Sequence, residues 1–344
     1  MISIYSLTFN EMQKKIIDLG LPKFNAISIY KWIYQKKINN FDKFTDISKN
    51  NIEILKKNFY FPNFEIVNTI NCDDKTIKFL FKLEDGNYIE AVLMYFEFGK
   101  SICISSQVGC AMGCKFCASG LFKKKRNLTP DEYILQYLKI SEYLSKTNDT
   151  ISNISFMGIG EPFDNYDNLL KAIKIFNERN GICLGMRNLI VSTCGIVPKI
   201  IQFAKDCEQV KLAISLHASN DKVRNKIMPI NYRWNISELM NAAKKYVSIT
   251  KKQITFEYVL LKGVNDSKEF AIELSKLITG INCYVNLLVY NKVKENDFKQ
   301  SNNTKLFANE LTKRNVIVAV RTPKGKNVDA GCGQLRSDFE NNNT

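Results

Sequence analysis

A chain of 344 residues with 45% apolar residues is long enough to bury a substantial core. Its 49 Lys and Arg against 34 Asp and Glu leave a formal net charge of +15, which points to a polyanionic partner, with nucleic acid ahead of an acidic membrane surface. The chain lacks both a run of about eighteen apolar residues and a basic-then-apolar leader, so composition speaks against spanning or secretion and predicts a soluble, cytoplasmic protein.

The first 75 residues read as a small helical accessory domain that contacts RNA. Thr8-Phe-Asn-Glu11 has capping-box spacing and opens a helix to about Leu19, and a second helix is predicted over Ala26–Gln35. Its Lys31, Lys36 and Lys37 read equally as nucleic-acid contacts or as an ordinary solvated face. Residues 76–100 read as a β-hairpin, Thr76–Leu83 and Tyr88–Met94 joined by Glu84-Asp85-Gly86-Asn87. Thr129-Pro130-Asp131-Glu132 then starts a helix to about Leu144. Strands follow near Ile154–Met157, Leu189–Ser192, Lys211–Leu216, Ile254–Leu261 and Tyr284–Val289, separated by amphipathic helices. That alternation predicts an α/β core over 101–337 with a parallel sheet, either doubly wound or a partial barrel, before a polar tail at 338–344.

Cys110-Ala-Met-Gly-Cys114-Lys-Phe-Cys117 follows the strand-like run Ile102–Ser105. Three thiolates hold three irons of a cubane and leave the fourth open, which suits a cluster that must bind a cofactor. A zinc site wants a fourth protein ligand, and the lone histidine, His217, lies far downstream. The ten cysteines are otherwise too sparse for a disulfide scaffold. Other polar motifs also sit where strands give way to loops: Gly158-Ile159-Gly160-Glu161-Pro162, Ser192-Thr193, Ser215-Leu216-His217 and Asn291. Chemistry gathers at such strand ends, so they read as a ring around one small zwitterionic cofactor, with Glu161 suited to an amino group.

Six segments in order, Ser105–Cys110, Arg126–Thr129, Met157–Pro162, Ser215–Ala218, Met228–Asn231 and Asp329–Leu335, resemble the RlmN family of the radical S-adenosylmethionine (SAM) superfamily. The resemblance implies a partial (β/α)6 TIM-like barrel with a helical N-terminal domain, and a [4Fe-4S] cluster on Cys110, Cys114 and Cys117. It implies SAM contacts at Gly160, Glu161, Ser192, Ser215, Leu216, His217 and Asn291. The implied reaction methylates C2 of adenine in 23S ribosomal RNA and, in some members, tRNA. That carbon is electron-poor and has no lone pair, so a radical must be delivered to it. Two SAM molecules are implied per turnover: one methylates Cys332, and the second, cleaved at the open iron, yields an adenosyl radical that removes hydrogen from that methyl. Cys103 would release the product through a transient disulfide with Cys332, and Glu90 matches the family's proton acceptor. A flavodoxin or ferredoxin is the implied electron donor, and a monomer the implied state.

Without the resemblance, Cys103 reads as a core thiol, Glu90 as solvent-facing and His217 as a satisfied core histidine, whereas Cys332, between glycines in a polar loop, is harder to explain structurally. Cys72, Cys183, Cys194, Cys207 and Cys283 carry no assigned role. The run Lys123-Lys124-Lys125-Arg126 would place four positive charges at the substrate mouth, where a flipped adenine must enter. Ile159 stands where the family usually has Met, and Gly325–Asp329 departs from the commoner acidic run, but neither change removes a reacting atom. The nearest alternative is the related resistance methyltransferase acting at C8, against which Pro162 and the helical N-terminal lead speak. From another class comes a non-catalytic iron–sulfur or zinc RNA-binding protein, in which Cys103 and Cys332 would be dispensable.

Overall fold

The computed structural model describes residues 1–121, 123–147, 149–293, 296–321 and 334–342. Helix α1 (Phe9–Asp18) starts at the predicted capping box, where Glu11 reaches back to the Thr8 N–H at 2.8 Å. The second predicted helix divides into α2 (Asn25–Tyr30) and a π-helical turn over Lys31–Gln35. Within that turn the Trp32 indole donates to Asp46 at 2.6 Å and stacks on Phe44. Helix α3 (Lys49–Asn58) completes the bundle. Lys37 ties it to the core by donating to Ser141 at 2.6 Å, while Lys36 lies over the Trp32 ring.

Strands β1 (Glu65–Asn71), β2 (Ile77–Lys82), β3 (Tyr88–Phe96) and β4 (Gly99–Ile104) run antiparallel. β2 and β3 are the predicted hairpin; β1 is an element the sequence reading does not contain. From β4 onward the sheet is parallel, through β5 (Ile151–Phe156), β6 (Leu189–Thr193), β7 (Lys211–Ser215), β8 (Ile254–Leu260), β9 (Cys283–Val289) and β10 (Val318–Arg321). The ten strands lie in strict chain order.

The connecting helices are α4 (Pro130–Ser145), α5 (Tyr166–Asn177), α6 (Val197–Asp206), α7 (Asp221–Ile227), α8 (Ile236–Thr250), α9 (Lys268–Leu277) and α10 (Thr304–Thr312). Covered on both faces, the central strands are buried along their length: all seven residues of β8 are inside. Arg321 on β10 brings Nη2 to 3.6 Å from Met94 Sδ on β3, so the sheet curls until its last strand meets the antiparallel arm. The result is the expected partial barrel, its six predicted strands extended by β10.

Of the segment read from composition as a polar tail, residues 338–342 are helical, the end of α11 (Gln334–Asn342). This helix packs on β2 and β3, with Phe339 against Tyr88 at 5.1 Å. No helix among the described residues is long and apolar enough to cross a membrane.

Candidate functional site

The loop after β4 carries Cys110, Cys114 and Cys117 over the carboxyl ends of the parallel strands. It is held from below by α7, since Lys115 N–H donates to Ile227 O at 2.9 Å and Met112, Cys114 and Phe116 pack against Ile227 and Met228. All three thiols face one cavity of about 310 Å³. Burial pushes the Cys110 thiol up to about 12 and Cys114 well above its usual range, with the neighbouring thiols adding to both. Such sulfurs keep their protons until a metal displaces them. Among the described residues no three His, Cys, Asp or Glu side chains converge on a single ion. Three thiols spread around one wall of a larger space fit a multi-iron cluster better than a lone zinc.

Gly158, Gly160 and Glu161 line the same cavity, and the glycines are dictated by the backbone beneath. A Cβ on Gly158 would stand 2.7 Å from Ile104 C, and one on Gly160, at φ +107°, 2.6 Å from Gln107 Cβ. The loop can therefore lie flat on the end of β4, where Ser106 and Gln107 N–H both donate to Ile159 O. Glu161 is buried, with Oε2 accepting from Cys194 N–H at 2.7 Å and Oε1 from Phe163 N–H at 3.0 Å. Burial raises its pKa although these bonds oppose the rise.

Gly160, Glu161, Ser192, Ser215, His217 and Asn291 all line the cavity with the cluster thiols. Leu216 does not: its side chain is packed in the core, while its N–H donates to Glu257 O at 3.1 Å. His217 adopts φ +55°, accepts from Val259 N–H at Nδ1 (3.0 Å) and meets the Phe116 ring edge-on at 4.8 Å. Desolvation lowers its pKa to about 3, so it is a neutral imidazole.

Glu90 and Cys103 are buried on the same face of the sheet, because Val92 pairs with Cys103 across β3 and β4. Cys103 stands beside Ser155, and burial raises its pKa, with Arg321 and Glu90 within electrostatic reach. Glu90, read from pattern alone as solvent-facing, is 4% exposed and accepts from Arg336 N–H at 2.6 Å. Cys332, expected to carry the methyl group and to pair with Cys103, lies outside the described residues.

Two groups that sequence reasoning missed also bear on the site. Glu257 lines the cavity between Ser215 on β7 and Asn286 on β9, and accepts from Asn286 Nδ2 at 2.9 Å. Its signal was available: a carboxylate inside an apolar strand that is buried on both faces. Arg321 lines the same cavity from β10. The basic run differs from expectation too. Arg126 forks onto both Glu132 oxygens at 2.7 Å and reaches Asp85 at 2.6 Å, Lys124 pairs with Asp164 at 2.7 Å, and Lys125 Nζ donates to Asn87 Oδ1 at 2.9 Å, so three of the four cations are engaged internally.

Comparison with known proteins matches residues 104–274 to the Radical SAM superfamily and residues 2–60 to the ribosomal RNA large subunit methyltransferase N-terminal domain. Proteins described as probable dual-specificity RNA methyltransferase RlmN are similar throughout. The one from Malacoplasma penetrans is 48% identical over 98% of this chain and 96% of its own length, and that from Spiroplasma citri 46% identical over 99% of each. The crystal structure of a radical SAM methyltransferase from Sphaerobacter thermophilus superposes with a TM-score of 0.92 at 37% identity, covering 97% of this chain and 99% of that one.

Proposed function

Because this chain belongs to the RlmN family of radical SAM RNA methyltransferases, we propose that it methylates C2 of adenine in 23S ribosomal RNA and in tRNA, in the cytoplasm, as a monomer reduced by a flavodoxin or ferredoxin. The observation that carries the reading is the single cavity shared by Cys110, Cys114 and Cys117 with Gly160, Glu161, Ser192, Ser215, His217 and Asn291. When bound, the [4Fe-4S] cluster and SAM supply a carbon-centred radical, with two SAM molecules consumed per turnover.

The chain's own residues orient and shield that chemistry. The carboxylate of Glu161, fixed by two backbone N–H groups, offers its remaining lone pairs to a cofactor amine. Ser192, Ser215 and neutral His217 present hydrogen-bonding groups from successive strand ends, while Met112, Phe116, Val259 and Leu288 keep the chamber apolar and exclude water. Cys332 carries the methyl group to the base, Glu90 takes the proton from C2, and Cys103 frees the product by closing a disulfide onto Cys332. Pro162, directly after Glu161, favours C2 over C8.

Anaerobic reconstitution with ribosomal RNA fragments and tRNA, followed by mass spectrometry of the nucleosides, tests the proposal. 2-Methyladenosine with formation of 5′-deoxyadenosine is expected; an 8-methyl product, or none, overturns it.

A further inference from the structure

Arg224, on α7, is 0% exposed and stands behind the cavity wall without lining it. Its guanidinium donates to Cys194 O at 2.6 Å, Ser215 O at 3.2 Å, Leu216 O at 3.1 Å and Asn231 Oδ1 at 2.8 Å. All four acceptors are neutral, and among the described residues Arg224 makes no ion pair. The nearest carboxylate in sequence, Asp221, is turned to Asn231 Nδ2 and Ile236 N–H instead. A fully buried cation whose hydrogen bonds all go to neutral acceptors is costly, and a buried charge ordinarily comes with an opposite one in direct contact.

Asp221 lies within electrostatic reach but does not touch the guanidinium, so a counter-charge on its other side has to come from the cavity. Arg224 sits directly under the cluster loop, on the helix whose last residue, Ile227, holds Lys115 N–H at 2.9 Å. The ionisable groups within its electrostatic reach include Cys194, Cys114, Asp221 and His217, and all but Asp221 line the cavity. Its bonds to Cys194 O and Ser215 O place it immediately behind two strand ends of that wall.

We propose that Arg224 is the internal counter-ion of the iron–sulfur cluster, and that its charge raises the cluster's reduction potential. The inference rests on reading Cys110, Cys114 and Cys117 as the ligands. A thiolate-ligated cubane is anionic and becomes more so when it accepts its one electron from a titrant such as dithionite. A fixed cation in a low-dielectric wall stabilises the reduced form more than the oxidised form. Arg224 is thus a positioning residue with two effects: its fork ties β6, β7 and the Asn231 turn together, and its charge sets the poise of the metal.

The two effects separate in variants. Reconstituted Arg224→Lys keeps the charge and loses the fork; Arg224→Gln loses the charge and keeps part of the hydrogen bonding. Potentiometric titration followed by electron paramagnetic resonance is expected to leave Arg224→Lys near wild type. In Arg224→Gln the ratio of oxidised to reduced cluster at a fixed poise should rise at least tenfold, which for one electron is 59 mV. A wild-type potential in Arg224→Gln, or an equal shift in both variants, overturns the proposal. Should Arg224→Gln take up no cluster, melting of the apoproteins decides. An apo variant at least as stable as apo wild type supports an unpaired charge awaiting its partner, and a less stable one reduces Arg224 to a brace. Wild-type protein that binds no iron and sulfide would sink the ligand reading itself, a separate failure.

Discussion

The N–H of Arg336 donates to Glu90 Oε1 at 2.6 Å, so the carboxylate expected to take a proton from the substrate also caps the first turn of α11. The bond joins β3 to the helix that begins two residues after Cys332, across 246 residues of sequence. An anion is favoured at a helix N-terminus, where N–H groups lack partners. Glu90 therefore has a structural and a chemical task, and these come apart on substitution.

Glu90→Gln preserves an acceptor for Arg336 N–H but not a base. We expect product formation to be lost, with stability within about 1 kcal/mol of wild type; Glu90→Ala should lose both, at a cost of about 1–2 kcal/mol typical of a removed cap. Nucleoside analysis and urea denaturation of the two variants check this.

Arg126→Ala should leave the salt dependence of RNA binding unchanged, because the guanidinium is already engaged by Glu132 and Asp85. A cation that did neutralise a phosphate would, on removal, lower the slope of log K against log salt by about 0.7–0.9. The variant should instead lose about 1 kcal/mol of stability, the upper range for a partly exposed ion pair. Binding titrations at several salt concentrations read the slope.

Gly160→Ala should abolish SAM binding, because its added Cβ must enter space held by Gln107 and Ser106 at an unfavourable φ of +107°. Gly263→Ala, at φ +70° with nothing within 4 Å, is the control and should cost only about 1–2 kcal/mol of backbone strain without affecting the cofactor. Calorimetric titration with SAM distinguishes them.

His217 binds no proton in the folded protein until pH falls to about 3, whereas the unfolded chain protonates it near its usual value of 6.5. The unfolded state therefore holds more protons between these values, and stability is lost as pH falls through that window, by about 1.4 kcal/mol per pH unit. Above pH 6.5 the contribution is fully present. Between pH 6 and 5, His217→Gln should show a slope smaller by about that amount, measured as the difference between the two proteins' denaturation midpoints.

Most elements of the fold were legible because their signals are short-range. The Thr8–Glu11 and Thr129–Glu132 boxes start α1 and α4, and the apolar runs of the central strands bury both faces whatever surrounds them. The cluster triplet was legible for the same reason: its three ligands share one loop. The strands of the ten-stranded sheet that escaped notice, β1 and β10, are its two edges, half-exposed and without a buried run to mark them.

What the chain alone determined, then, was everything carried by neighbouring residues: caps, strand cores, the cysteine spacing and the polar strand ends. Tertiary structure alone decided which distant groups meet. Register across β7, β8 and β9 sets Glu257 between Ser215 and Asn286, the curl of the sheet brings Arg321 to Met94, and helix packing buries Arg224 beneath Cys114 and turns Glu90 from an exposed strand residue into a cap. A side chain's partners across a sheet or under a loop depend on a register and a curvature that no stretch of local sequence encodes.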